Sequence, residues 1–373
     1  MIINTTRFTQ FDSEAIEFYQ RHGWVLISDA VSTDECQQMR QGWQQMVDTQ
    51  ATSIGCETQQ YLQVICQWRD LWKQQKAFAK VLQNPLARLA SQSFELPGCR
   101  LFHDKIICKS IEHCNGQIPW HQDSMYWPVD RTGMSTWTAL QDVSAEQGCL
   151  EVADGSHQWG ESEPVDFMYE QESLPQDGPT WLIPACEGDV VMLHSRTWHR
   201  SAASTVKGHS RIAHIGLWVP QQSRFWPQNA SWHPVNAQVT VRPGQVFNDD
   251  EFPVFGEATG GTYKVDEQGM GNTVVNKHQG HSAKQGMFNA KKRVTTQIAQ
   301  ILQQSGTLGE LLADATNRQK VMAAVLAGNN DADEAKVMAV VQSLWIGAAA
   351  YEQLRSRNVF SSGYKQWEIL YGE

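Results

Sequence analysis

The chain has 373 residues, 41% of them hydrophobic and 19% charged, and its formal net charge is −10. This length allows one large domain with additions or two domains, and the balance of residue types is that of a globular protein. An acidic chain without a cluster of lysine and arginine is a poor candidate for binding nucleic acid or an anionic membrane surface.

Nothing in the sequence predicts export or a membrane span. The N-terminal stretch MIINTTRFTQ lacks a basic segment followed by an apolar one, so no signal peptide is expected. The longest apolar run, residues 337–351, contains Gln342 and Ser343 and predicts a buried helix. The 8 cysteines form no C-x-x-C pair, and we expect free thiols in a cytoplasmic protein.

Residues 1–95 are predicted to be mostly helical and to belong to the catalytic domain. In FDSEAIEFYQRHG either Asp12 or Ser13 can cap a first helix, which Gly23 ends. A short strand, WVLI, follows, and the apolar residues of 60–93 recur with a helical period.

Short strands dominate residues 96–225. The candidates, separated by Gly and Asp turns, are CRLFHDKIICKS, STWTALQDV, CLEVA, DVVMLHS, TWHRSAA and SRIAHIGLWVP. Strands this close in sequence leave no room for crossover helices, so the pattern predicts a β-sandwich or jelly roll.

The rest of the chain is predicted in two parts. Residues 226–290 are polar and rich in glycine, which is typical of a long loop. Residues 291–373 return to helical patterns and form a predicted C-terminal extension, either a lid or a homodimer contact. The fold class expected overall is mainly β with helical additions, α+β.

The segment PWHQDSMYW places His121 and Asp123 two residues apart, so that in a strand both point to the same face. Alone, such a pair is more often a surface ion pair than a metal site. Downstream, DVVMLHSRTWHRS offers His194 and His199. Either histidine would complete a set of two histidines and one carboxylate, which holds Fe(II) and leaves three positions for a bidentate co-substrate and O₂.

Arg211 opens an apolar strand, so a buried guanidinium that needs an anionic partner is expected there. A dicarboxylate co-substrate that chelates iron at one end would offer its far carboxylate. Ser201 shares the strand face of His199 and could donate to the same oxygen. The alternative is an internal Asp or Glu partner.

Four segments together resemble the phytanoyl-CoA dioxygenase-like family of Fe(II)/2-oxoglutarate-dependent oxygenases. They are GWVLISDAVSTDECQQMR, PWHQDSMYWPVD, TWTALQDVSAEQGCLEVADGSH and GDVVMLHSRTWHRSAASTVKGHSR, and they extend over roughly residues 14–220. The resemblance implies a double-stranded β-helix core with N-terminal helices packed on it. The C-terminal part of the chain has no counterpart in the family's common core.

The resemblance also implies roles for individual residues. The implied iron ligands are His121, Asp123 and His199, with His199 preferred to His194. The residues implied to contact 2-oxoglutarate are Arg211, Ser201, Trp137 and Lys105. A carboxylate at position 123 favours hydroxylation, or another oxidation such as desaturation or ring closure, over chlorination, because related halogenases have a small residue there.

The substrate pocket is expected among the residues near the iron motif, with Tyr126, Trp127, His103 and Trp159 as candidates. Aromatic side chains there could hold a cationic amine. The reaction expected is hydroxylation of an unactivated C–H bond in a small polar metabolite, in secondary metabolism, with release of succinate and CO₂. Alternatives are an acyl-thioester hydroxylase of the same family, a non-catalytic protein that binds metal or 2-oxoglutarate, and a structural β-sandwich.

Overall fold

The computed structural model describes residues 2–94, 98–109, 117–162, 173–227, 233–255, 293–329 and 332–356. Much of the predicted loop 226–290 lies outside the described residues. Contacts divide the chain into two units, Met1–Trp43 with Arg69–Lys277, and Gln44–Trp68 with His278–Glu373. Across the part of the chain that is described, no helix is long and apolar enough to cross a membrane.

The strands form two sheets. Their bounds are β1 (Ile2–Ile3), β2 (Trp24–Ile27), β3 (Gln67–Arg69), β4 (Cys99–Lys109), β5 (Ile118–His121), β6 (Met134–Ala139), β7 (Leu150–Ala153), β8 (Thr180–Ile183), β9 (Val190–His194), β10 (His199–Ser201), β11 (Arg211–Pro220) and β12 (Val254–Phe255). The larger sheet has the order β12-β4-β11-β6-β9-β2, and the smaller has the order β1-β8-β7-β10-β5.

Most connections along the core cross from one sheet to the other. Strands β5, β7, β8 and β10 lie in the smaller sheet, while β4, β6, β9 and β11 lie in the larger. Neighbours such as β4 and β11, β6 and β9, and β5 and β10 pair antiparallel. This arrangement is a double-stranded β-helix, and the predicted fold class is confirmed.

The core lies between the sheets and is built from the inward faces of their strands. Ile107, Trp137, Val191 and Ile215 of the larger sheet share one buried apolar cluster with residues of the smaller sheet such as Val152. Both β6 and β11 are buried along their whole length. Strand β11, which is covered on both faces, reads as an almost continuous apolar run, and this explains why the sequence identified it.

The helices are α1 (Ser13–His22), α2 (Thr33–Ser53), α3 (Thr58–Val64), α4 (Lys76–Val81), α5 (Ala87–Ser93), α6 (293–302), α7 (Leu308–Ala313), α8 (Ala315–Ala327) and α9 (Glu334–Ser356). Of the two candidate caps of α1, Asp12 accepts from the backbone N–H groups of Glu14 and Ala15. The predicted C-terminal helices are present in α6 to α9, and Arg318 lies 3.9 Å from the ring centroid of Trp345 there.

The continuous helical pattern predicted for residues 60–93 is wrong around Arg69. The chain forms β3 there, and Asp70 adopts the left-handed conformation at φ 53°. The backbone N–H of Asp70 donates to the carbonyl of Asp104 at 3.0 Å. A tertiary backbone contact has overridden the local helical preference, and it places Arg69 beside β4.

Gly23 ends α1 in a conformation that a side chain would strain. Its φ is +76°, and an added Cβ would lie 2.3 Å from His157 Nδ1 and 2.6 Å from Thr197 Oγ1. The hydroxyl of Thr197 donates to the carbonyl of Gly23 at 2.6 Å. The end of α1 is therefore packed directly against the segment that leads into β10.

Gly23→Ala should destabilise the protein more than Gly208→Ala. Both glycines have positive φ, but a Cβ at Gly208 (φ +72°) meets nothing within 4 Å. Backbone strain lowers the free energy of unfolding of both variants by about 1 kcal/mol. The close contacts of a Cβ at Gly23 lower it by roughly 2 kcal/mol more. Chemical denaturation of both variants measures the difference. Equal losses would contradict the close packing at Gly23.

Candidate metal centre

The pairing of β5 with β10 brings two histidines together. His121 lies directly opposite His199 in this antiparallel pair, and their ring centroids are 4.2 Å apart. Each ring donates its Nδ1–H to a backbone carbonyl two residues earlier, His121 to Pro119 and His199 to Thr197, both at 2.9 Å. Because a carbonyl only accepts, these bonds leave both Nε2 atoms with a free lone pair for a metal.

Asp123 lies beside the two histidines, but it is not part of the strand in which the sequence placed it. Strand β5 ends at His121, and Asp123 begins a 3₁₀ turn, Asp123–Tyr126. The intervening Gln122 is still extended, and its side-chain amide donates to the carbonyls of Gly160 and Arg196 at 2.8 and 2.7 Å. Because Gln122 is extended, the side chains of His121 and Asp123 point to the same side, as they would in a strand, although β5 ends at His121.

The three side chains form a compact, buried group. Asp123 Oδ1 is 3.8 Å from His121 Nε2 and 4.0 Å from His199 Nε2, and the Ser135 hydroxyl donates to Oδ2. The ligand atoms of the three lie within 4.8 Å of one another. The donor set is the one that suits Fe(II) in oxygenases.

Burial and mutual charge prepare this group for a divalent ion. Burial, followed by the neighbouring His199, lowers the pKa of His121 to about 3. Burial raises the pKa of Asp123, but His199, Lys105 and His121 outweigh it and lower that pKa below its ordinary value. At neutral pH an unprotonated imidazole at His121 and an ionised carboxylate at Asp123 are ready to bind without first losing protons.

His194 does not join this group. It ends β9, where its Nδ1 accepts from the backbone N–H of Arg196 at 3.1 Å. Its ring lies 5.4 Å from that of His157. Of the two downstream histidines, His199 is the one that the fold brings to His121 and Asp123.

Arg211 is a buried cation beside Ser201 and Trp137. It begins β11, and only 1% of its surface is exposed. Its Nη2 is 3.4 Å from the hydroxyl of Ser201, its guanidinium lies 5.5 Å from the Trp137 ring centroid, and its Nε and Nη1 have no partner. Among the described residues, no ion pair includes Arg211, so the internal Asp or Glu considered for it is not found there. A buried guanidinium with two unpaired groups fits an external anion.

Lys109 lies beside Arg211 and was not among the residues predicted from the sequence. The two residues are register partners in β4 and β11. The fully buried ammonium donates to Ser201 Oγ at 2.6 Å and to the carbonyls of Ser201 and Ala202 at 2.9 and 2.8 Å. Because Ser201 Oγ accepts from Lys109, its hydroxyl hydrogen can be donated elsewhere. The available signal was a second lysine, four residues after Lys105, on the same face of an apolar strand.

Lys105 lies on the inward face of β4, opposite Ile215, whose other partner is Trp137. Burial lowers the pKa of Lys105, and the charge of Asp123 opposes that shift. The structure thus brings Lys105 into electrostatic range of the metal centre, and Trp137 close to Arg211.

The four candidate substrate residues are placed differently. The ring of Tyr126 is 6.3 Å from that of His121, at the metal centre. Trp127 packs in the core with its ring 5.6 Å from Phe102, and Trp159 is half-buried at the edge of the same apolar cluster. His103 accepts from Arg69 Nη1 at 3.0 Å and is not part of the group formed by His121, Asp123 and His199.

The family profile described as Phytanoyl-CoA dioxygenase (PhyH) matches residues 19–213, more than half of the chain. The chain belongs to the phytanoyl-CoA dioxygenase family. Peroxisomal phytanoyl-CoA dioxygenase from Mus musculus is 23% identical over 231 residues, which are 54% of this chain and 68% of that protein. The Danio rerio phytanoyl-CoA dioxygenase domain-containing protein 1 is 24% identical over 164 residues, 41% of this chain and 56% of the relative.

Solved structures of related fold include two proteins of nogalamycin biosynthesis. The epimerase SnoN, in complex with Fe3+, alpha ketoglutarate and nogalamycin RO, superposes with a TM-score of 0.54 at 19% identity, over 65% of this chain and 99% of SnoN. The alpha ketoglutarate dependent carbocyclase SnoK gives 0.52 at 20% identity, over 65% and 96% of the two chains. At these identities the likeness shows the shared fold.

Family membership confirms the predicted enzyme class, an oxygenase that depends on iron and 2-oxoglutarate. The set of two histidines and one carboxylate agrees with those cofactors. The family match ends at residue 213, so the C-terminal helices lie beyond it, and the division of the chain at residues 95, 225 and 290 stays a prediction.

Asp123→Ala should lower the affinity for Fe(II) by more than about 100-fold, since loss of a direct ligand exceeds the usual effect of losing a supporting contact. Anaerobic calorimetric titration with Fe(II) measures it. His194→Ala is the matched control and should bind iron like the unaltered protein. Unchanged affinity in Asp123→Ala, or an equal loss in His194→Ala, would show that the ligand set is different.

Proposed function

We propose that this enzyme hydroxylates an unactivated C–H bond of a small metabolite and converts 2-oxoglutarate and O₂ into succinate and CO₂. The observation that carries the proposal is the unpaired Arg211 guanidinium beside Ser201, two residues along β10 from His199. Two residues of a strand span about 7 Å, a distance suited to a dicarboxylate held by a metal at one end and by Arg211 at the other.

In this proposal His121, Asp123 and His199 are the iron ligands. The backbone bonds of the two imidazoles fix their tautomers, and the Ser135 hydroxyl holds the Asp123 carboxylate in place. When bound, iron supplies the O₂ chemistry that amino acid side chains cannot perform. The protein contributes the ligand geometry and the exclusion of water around these buried groups.

The far carboxylate of 2-oxoglutarate is assigned to Arg211 and Ser201. Lys109 holds the Ser201 oxygen, so the serine hydroxyl hydrogen points to the incoming anion while Arg211 offers its unpaired N–H groups. Trp137 packs beside the guanidinium and keeps water from it. Lys105 adds a positive charge near Asp123 that favours an anionic co-substrate.

The carboxylate at Asp123 supports hydroxylation, because it occupies the position that chloride takes in related halogenases. The names of SnoK and SnoN point to nogalamycin biosynthesis, which is consistent with a small natural product as substrate. An acyl thioester, as the names of the peroxisomal relatives suggest, is the second candidate. The acidic net charge of −10 favours the small metabolite.

Arg211→Gln should weaken 2-oxoglutarate binding by roughly 10- to 100-fold, the effect of losing hydrogen bonds to a charged group. Fe(II) affinity should stay unchanged, because Arg211 does not contact the metal ligands. The measurement is the visible charge-transfer band that 2-oxoglutarate gives with the iron-loaded protein under anaerobic conditions, followed as a function of 2-oxoglutarate concentration.

Arg224→Gln is the control for this experiment. Arg224 also donates to a backbone carbonyl, that of Gly244 at 2.8 Å, but lies outside the site. No band in the unaltered protein, together with no succinate release in the presence of iron, ascorbate and O₂, would contradict the proposed function.

A further inference from the structure

A second group of nitrogen-rich side chains lies on and next to β4, and three of its four members have been given no part in binding iron or 2-oxoglutarate. We call it the Arg69 cluster and define it as Arg69, His103, His233 and Lys105. Arg69 Nη1 is 3.0 Å from His103 Nε2 and 3.5 Å from His233 Nε2, and the two imidazole centroids are 5.6 Å apart. Both histidines are buried, with 2% and 4% of their surface exposed.

The cluster contains buried N–H donors for which the described residues supply no acceptor. His103 Nε2 faces a guanidinium and must accept from it, so its proton is on Nδ1, and that atom has no partner. Arg69 Nε is also buried without a partner. His233 Nδ1 accepts from the backbone N–H of Val235 at 3.2 Å. Buried donors are normally satisfied, so this excess indicates a missing acceptor.

The positive charge of the cluster is also unbalanced. Within the described residues no ion pair includes Arg69, and Lys105 has no hydrogen-bond partner. Burial lowers the pKa of Arg69 to about 10, and the charges of Asp70 and then Asp123 oppose that shift. Asp70 Oδ2 already accepts from Gln238 Nε2 at 2.8 Å, and Asp123 is engaged at the metal centre. Arg69 and Lys105 are partly buried, and a partly desolvated cation that makes no ion pair among the described residues fits an anion from outside.

The cluster is close enough to the metal centre to act on a molecule bound there. His103 of β4 lies opposite Leu217 of β11, and Leu217 lies opposite Ser135 of β6, whose hydroxyl donates to Asp123. Because adjacent strands are about 4.8 Å apart, His103 and Ser135 are separated by roughly 10 Å of backbone. His103 and Lys105 are two residues apart on the inward face of β4, and Asp70 is tied by its backbone to Asp104 between them. A substrate that presents a C–H bond to the iron can therefore reach Arg69 with another of its groups.

We propose that the substrate carries an anionic oxygen group, a carboxylate or a phosphate, which binds to Arg69 and His103. The proposal rests on the oxygenase function proposed above and names the substrate class for that site. It replaces the sequence-based expectation of a cationic amine, which Arg69 and Lys105 would repel. The guanidinium offers two N–H groups in the plane that matches a carboxylate or phosphate edge.

The test uses the full chain loaded with Fe(II) and saturated with 2-oxoglutarate under anaerobic conditions, so that the Arg211 site is already filled. The probes are acetate, benzoate and inorganic phosphate, with benzylamine and benzyl alcohol as the cationic and neutral counterparts of benzoate. Binding is measured by calorimetry and by the change in the visible charge-transfer band. The variants are Arg69→Gln and Arg69→Lys, with Arg224→Gln as the control.

We expect at least one anionic probe to bind, and benzylamine and benzyl alcohol to bind at least about tenfold more weakly than benzoate. Arg69→Gln should weaken anion binding roughly 10- to 100-fold, and Arg69→Lys should recover part of that loss. Tighter binding by phosphate assigns a phosphate group to the substrate, and tighter binding by acetate or benzoate assigns a carboxylate. The band with 2-oxoglutarate should persist in both variants, which also shows that they fold.

Several outcomes would overturn the proposal. They are no binding of any anion, equal binding of benzylamine, and anion binding that Arg69→Gln leaves unchanged. A loss of 2-oxoglutarate affinity in Arg69→Gln would assign the cluster to the co-substrate and would likewise reject a substrate role. In each case a normal band in the unaltered protein leaves the oxygenase function intact, whereas absence of the band rejects that function itself.

Discussion

The antiparallel pairing of β5 with β10 is the constraint on which the candidate site depends. It sets His121 directly opposite His199, and Asp123 follows one extended residue later. It also fixes the direction of β10, so that Ser201 lies farther along the same strand, next to Arg211 and Lys109. A shift of this register by one residue would turn both His199 and Ser201 to the other face of the sheet.

Buried cations are the second feature of this core. Arg211 and Lys109 lie fully inside the β-helix, and Arg69 lies between two buried histidines. Lys109 is satisfied by backbone and hydroxyl oxygens, whereas Arg211 and Arg69 each retain buried N–H groups without a partner. In the two proposals above, Arg211 holds the far carboxylate of the co-substrate, and Arg69, which lies beside His103 at a different place along β4, binds the substrate. Such groups lower stability when empty and regain it when an anion binds.

The sequence predicted most of the core strands and proposed His121, Asp123 and His199 as candidate ligands because both signals lie in short segments. Strands such as β9 and β11 are largely apolar runs, and the H-x-D pair and His199 lie on or directly after the short strands β5 and β10. Lys109 was missed because nothing local distinguishes its environment from that of Lys105. His103 and Lys105 were predicted site residues, but Arg69 and His233 were missed because the cluster joins positions 34 and 164 residues apart, and because the β3 segment has a helical pattern that a contact with Asp104 overrides.

Thr197 connects the first helix to the metal centre. Its hydroxyl binds the carbonyl of Gly23 at the end of α1, and its own carbonyl receives the Nδ1–H of His199. The orientation of one imidazole is thus braced by a helix that carries none of the recognised motifs. A shortened version of this enzyme that begins at the first core strand would keep His121, Asp123 and His199. It would lose the hydrogen bond between Thr197 and Gly23 that helps to orient His199.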